Sequence, residues 1–74
     1  MKDLPKYQVQ NNPRLLRFTV NQLCMGGTIS CFNANCETIE EAKGIFNERF
    51  RRMDVGMLFL SDNVDRRVIA YVEE

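Results

Sequence analysis

TIEEAKGIFNERFRR, residues 38–52, carries helix signals at both ends and along its length. Thr38 followed three positions later by Glu41 is a capping box: the hydroxyl accepts from the Glu41 amide while the Glu41 side chain reaches back. Ile39, Ala42, Phe46, Phe50 and Met53 recur three or four residues apart and make one apolar stripe. Glu37, Glu40 and Glu41 lie at the positive end of the helix dipole, and Arg49, Arg51 and Arg52 at its negative end. Glu48 and Arg52 form a favourably ordered pair on the wet face. Gly44 projects away from the stripe and costs about 1 kcal/mol relative to Ala. Nothing in the helix itself asks for that glycine unless something approaches that face closely.

Downstream, VGMLFL at residues 55–60 is too short and too apolar for anything but a buried strand. Ser61-Asp62-Asn63 is turn chemistry. Arg67 to Val72 returns as a strand, with Val68, Ala70 and Val72 on one side and Ile69 and Tyr71 on the other. Upstream, Leu16, Phe18 and Val20 alternate with Arg17, Thr19 and Asn21, the pattern of a half-buried strand. Gly26-Gly27 suits a two-residue hairpin turn, and residues 28–32 read as the returning strand. A turn on those glycines pairs Met25 with Thr28, Cys24 with Ile29, Gln22 with Cys31 and Val20 with Asn33. Leu16, Phe18 and Val20 then share the core side, and Leu23 and Phe32 fall on the other face beside Arg17 and Thr19. A slip of one residue exchanges the two faces.

The element order is strand, strand, helix, strand, strand. It predicts an α+β two-layer sandwich: an antiparallel sheet of about four strands (ββαββ) with one helix on one face. Residues 1–14, polar and holding Pro5 and Pro13, form an N-terminal arm or a short fifth edge strand. Residues 15–74 form the single α+β domain. With 74 residues there is room for one domain only, and such a chain buries about 60% of its unfolded surface. An apolar share of 45% and a charged share of 27% argue against disorder. No apolar run approaches a spanning helix, and the N-terminus lacks the layout of a signal peptide. The reading is a cytoplasmic protein with no membrane partner.

One helix covers one face, yet the third and fourth strands are apolar on both. Met57 and Phe59 oppose Leu58 and Leu60, and Val68 and Val72 oppose Ile69 and Tyr71. A sheet with a solvated face alternates cleanly, so the surplus points to an interaction surface. Leu23, Phe32, Leu58, Leu60, Ile69 and Tyr71 are its contact candidates, with Arg17 at the rim. On this reading Phe32→Asp leaves the fold intact and abolishes association. The competing account lays the arm, with Leu4, Tyr7 and Val9, across that face.

Site chemistry is sparse. The chain has no His, which removes the commonest general base and the commonest metal ligand together. Cys36 precedes a helix, but Glu37, Glu40 and Glu41 oppose its thiolate, so it reads as an ordinary small residue. Cys24, Cys31 and Cys36 form neither a close pair of zinc ligands nor an even-numbered disulfide framework, and reduced thiols are the simpler account. Asp62 and Asp65 belong to a turn rather than to an acid–base pair. The expectation is therefore no enzyme, no cofactor and no metal.

Lys plus Arg and Asp plus Glu are ten each, so no whole-protein attraction to nucleic acid or membrane exists. Residues 1–36 are net +3 and residues 37–74 net −3. A nucleic-acid contact through the basic arm and first hairpin is the alternative, although the aromatic-plus-basic strands of RNA-binding sheets are absent.

The strand and helix order over residues 15–74, with ETIEEAKGIF opening the helix and VGMLFLSDNVDRRVIAYVEE as the closing hairpin, resembles small accessory proteins of phages and mobile elements. Some anti-CRISPR inhibitors are similar in size and strand order. The resemblance is architectural and carries over no site residues. It implies a stoichiometric inhibitor or adaptor bound to a larger machine. Many such inhibitors are acidic nucleic-acid mimics, whereas this chain is neutral. The function expected from all of this is a non-enzymatic protein-binding module, acting on another protein through the apolar sheet face or pairing with itself as a homodimer.

Overall fold

Alternation of Phe18 and Val20 with Thr19 and Asn21 produces β1 (Phe18–Cys24), which lies inside a four-stranded antiparallel sheet. The computed structural model describes residues 4–7, 15–24, 29–52 and 56–73. Val9, Pro13, the turn at Gly26-Gly27 with its Met25–Thr28 pair, and Met53 lie outside the described residues. β1 pairs on one side with β2 (Ile29–Cys36) and on the other with β3 (Met57–Asp62), which turns into β4 (Arg67–Glu73). The order is β2-β1-β3-β4, so two hairpins join through β1 and β3. The helix α1 (Ile39–Arg52) packs on one face of this sheet, against β1, β2 and β3. The architecture is the small α+β sandwich that the element order predicts.

The capping box forms in part as read. Thr38 Oγ1 accepts from the Glu41 amide at 3.3 Å, and the Ala42 amide donates to the Thr38 carbonyl at 3.2 Å. The apolar stripe is rotated from the expected one. Ile39, Ala42, Ile45 and Phe46 meet the core, whereas Phe50 stays 47% exposed.

The first hairpin starts in the expected register, with Cys24 opposite Ile29 and Leu23 opposite Ser30. A β-bulge then leaves Cys31 without a register partner, and Gln22 faces Phe32, Val20 faces Ala34 and Phe18 faces Cys36. The expected pairs of Gln22 with Cys31 and Val20 with Asn33 are therefore replaced. The physical reason is legible in β2 itself. Without the extra residue, Asn33 and Asn35 would lie beneath the helix; with it, Phe32, Ala34 and Cys36 do.

The core consists of Phe18, Val20, Cys36, Ala42, Leu58 and Leu60. Its members come from β1, β2, β3 and the helix, which is what binds the two layers into one unit. Gly56 enters β3 with φ 118°, and a Cβ there would collide with the Leu23 carbonyl oxygen. Any other residue at that position meets both strain and a clash.

Asp62 closes the second hairpin. Its Oδ1 accepts from the amides of Val64 (2.9 Å) and Asp65 (3.1 Å), and its Oδ2 lies 3.4 Å from Arg17 Nη2. Arg66 takes a left-handed φ of 56° within the turn. Burial pushes the Asp62 carboxyl up, but the Asp65 and Val64 amides and the Arg17 guanidinium outweigh it, so its pKa falls below the usual 3.8. A depressed folded-state pKa contributes stability that is present above the unfolded value and lost as pH falls through the folded one. The urea midpoint is thus expected to drop as pH is lowered from 5 into the acid range below about 3.8. Asp62→Asn should flatten part of that drop; parallel curves for the two proteins would remove Asp62 from the account.

Candidate interaction surface

The pairing of β1 with β3 decides which side of β3 faces the helix. Val20 lies opposite Leu60 and Gln22 opposite Leu58. Leu58 and Leu60 are consequently 0% and 1% exposed, central members of the core beneath α1. They cannot be contact residues, which corrects the expectation for both. A strand apolar on both faces offers no internal sign of its orientation; the neighbouring strand supplies it.

Phe32 also moves to the helix side, because the bulge at Cys31 inverts that part of β2. It packs against the core, half-buried, and the Arg49 guanidinium carbon stands 4.2 Å from its ring centroid. Arg49 is held there by Gln22, whose Oε1 accepts from Nη2 at 2.7 Å and from Nε at 3.2 Å. In sequence Arg49 reads only as a charge at a helix end; its contacts with a strand residue and a ring need the bulge to be known. The expectation that Phe32→Asp spares the fold is thereby reversed. Phe32→Ala should lower the unfolding free energy by about 1–2 kcal/mol, part of the value of burying a whole phenylalanine. A urea titration reads it, and an unchanged midpoint would return Phe32 to the surface.

Ile69 is corrected as well. A second register shift, between Leu60/Ser61 on β3, leaves Ile69 without a partner while Ala70 faces Leu60 and Val68 faces Ser61. Ile69 then packs against the core cluster.

Two candidates do lie on the sheet face away from the helix. Leu23 is half-buried opposite Met57, and Tyr71 is half-buried opposite Phe59. The Phe59 and Tyr71 rings meet at 5.2 Å, tilted by 38°. Leu23, Met57, Phe59 and Tyr71 thus make an apolar group of four on this face. Asn21 sits among them, its Oδ1 accepting from the Ser30 hydroxyl at 2.8 Å. The sequence offers Leu58 and Leu60 for this face; the pairing with β1 puts Met57 and Phe59 there instead.

The opposite end of the same face is closed. Thr19, Ser61 and Val68, paired across three strands, are 1%, 5% and 7% exposed. Asn63 gathers this end together. Its Nδ2 donates to Thr19 Oγ1 (2.8 Å) and to the Leu16 carbonyl (2.7 Å), and its Oδ1 accepts from the Tyr7 hydroxyl at 2.6 Å. Thr19 Oγ1 in turn donates to Asn35 Oδ1 at 2.9 Å. The arm therefore reaches the Asn63 end of the sheet at Tyr7, while Leu4 stays exposed. Arg17, half-exposed, lies at this end too, beside Asp62 and 5.2 Å from the Phe18 ring centroid.

Cys24 and Cys31 are joined by a disulfide, with Cα atoms 6.3 Å apart. This corrects the expectation of three reduced thiols. Cys36 is free and fully buried. Burial pushes its thiol above the ordinary value of 9.0, and the Glu41 carboxylate adds to the shift, so it is held in the unreactive protonated form. Among the described residues every buried side-chain nitrogen or oxygen has a hydrogen-bond partner. None of those groups is left aimed at a missing ligand.

Comparison with protein-family models, with curated proteins and with solved structures finds no match to this chain. No described helix is long and apolar enough to cross a membrane.

Proposed function

We propose that this chain is a non-enzymatic protein-binding module, an adaptor or stoichiometric inhibitor working in the cytoplasm, that receives a larger partner on Leu23, Met57, Phe59 and Tyr71. The carrying observation is the Phe59–Tyr71 pair on the sheet face that lacks a helix. Aromatic residues and Met are enriched at protein interfaces, and buried aromatic anchors supply much of the binding energy there. Asn21, Ser30 and Asn33 provide the polar surroundings that such a patch has at its rim. Neither Cys24 nor Cys31 belongs to the core, so reducing their bond lowers stability without removing a core contact.

The experiment is affinity capture from the native cell with wild-type and Phe59→Asp baits, both checked for a folded circular-dichroism spectrum. One partner in fixed stoichiometry with the wild type, lost from Phe59→Asp and retained between 50 and 200 mM salt, supports the reading. Material that both baits capture equally, or that dissociates steeply with salt, would speak for contact through charge instead, as nucleic-acid binding does.

A further inference from the structure

β2 and β4 are the two edges of the sheet. Proteins blunt such edges with charges, proline and bulges, because unpaired backbone groups invite another strand. β4 carries Arg67 and Glu73 at its ends and a register shift at Ile69. β2 has a bulge of its own at Cys31, but no charged residue and no proline from Ile29 to Cys36. Beyond Cys31 its residues Phe32–Cys36 keep an unbroken register with β1, and their outer edge pairs with no described strand.

Beside this edge, on the helix side, lies a groove of about 330 Å³ lined by Phe32, Gly44, Ile45, Glu48, Arg49 and Arg52. A Cβ at Gly44 would meet nothing within 4 Å. Glycine is therefore not required there by the chain's own packing, although it weakens the helix by about 1 kcal/mol relative to Ala. An open backbone stretch beside an uncharged edge is what a close neighbour would use.

We propose that a second copy of this chain is that neighbour: β2 pairs antiparallel with β2 of the second copy, making one eight-stranded sheet with both helices on the same side of it. An antiparallel junction within a sheet is generated by a two-fold axis normal to it, so the interface is isologous. The same operation sets the two helices antiparallel to each other, each over its own β1, β2 and β3. Charge then selects the occupant. α1 opens with Glu40 and Glu41 and closes with Arg49, Arg51 and Arg52. Antiparallel copies set each basic end towards the other's acidic start, whereas parallel copies would set like against like. At zero net charge the copies do not repel at long range. Phe32 of each copy flanks the seam, and the two Phe59–Tyr71 groups share the far face, with β1 and β2 of both copies between them. This dimer does not rest on the proposed partner surface, since it uses the edge and the helix groove.

The test is molar mass by light scattering across a dilution series, for wild type, Asn33→Lys, Gly44→Lys and Phe59→Asp. Asn33 is exposed in the middle of β2, and Gly44 has open space around it, so both lysine variants should fold; circular dichroism verifies this. The wild type is expected to run at twice 8.6 kDa when concentrated and to dissociate on dilution. Either lysine should weaken the dimer by roughly ten-fold or more through like-charge contact across the seam, while Phe59→Asp leaves it intact. A wild-type monomer at every concentration overturns the proposal. So does a dimer indifferent to both lysines, one dissolved by Phe59→Asp, or one that survives non-reducing denaturing electrophoresis as a cross-link.

Discussion

Leu58→Ala is expected to remove about 2–5 kcal/mol of stability, while Phe59→Ala, one position along the same strand, costs about 1 kcal/mol or less. Leu58 is fully buried among Val20, Leu60 and the helix, so truncation loses both its transfer from water and the packing around the cavity left behind. Phe59 lies half-buried on the other face, with its ring against that of Tyr71. A domain of this length has about 4–11 kcal/mol in total. Leu58→Ala should therefore be largely unfolded at moderate urea concentrations where Phe59→Ala is still native. Denaturant titrations of the two variants read the contrast. Equal losses would mean that β3 is not oriented with Leu58 and Leu60 inward.

The second large effect concerns the Cys24–Cys31 bond, which closes a loop between residues seven positions apart. Constraining the unfolded chain over so short a loop is worth about 2–3 kcal/mol in the loop-entropy account. For a domain of this size each kcal/mol moves the melting temperature by about 4–8 °C. Reduction, or the double change Cys24→Ser with Cys31→Ser, should lower the melting point by roughly 10–20 °C. The sheet should survive, because the bulk of the core lies elsewhere. A melting curve indifferent to reductant would mean that the two sulfurs are not bonded in solution.

Local signals carried the fold further than the site. Thr38 and Glu41 mark the helix start, and the alternation through Phe18 and Val20 marks a strand, because each depends only on neighbours in the chain. The orientation of β3 depends on its pairing with β1, which is a contact between distant segments. A run as uniformly apolar as Met57–Leu60 fits either way up, and only its pairing with β1 turns Leu58 and Leu60 inward and Phe59 outward. The bulge at Cys31 had the same effect on Phe32. Nothing near Cys31 announces an extra residue; the signal is the position of Asn33 and Asn35, whose amides would otherwise sit beneath the helix. Tyr71 and Leu23 keep the face that alternation gives them, because no bulge disturbs the parity at those positions. Gly44 was visible in sequence as a residue without a purpose inside its own helix, and the open groove beside it gives that oddity a place.

The claim at the centre of this account is that a partner sits on the face of the sheet opposite the helix. The direct measurement is photo-crosslinking in the native cell, with a photoreactive phenylalanine analogue placed at Phe59 in one strain and at the exposed Phe50 of the helix in another. The account predicts a crosslinked product heavier than two copies of the chain from the Phe59 site and none from Phe50. A heavy product from Phe50, with the Phe59 site silent, would put the partner on the helix side and contradict it.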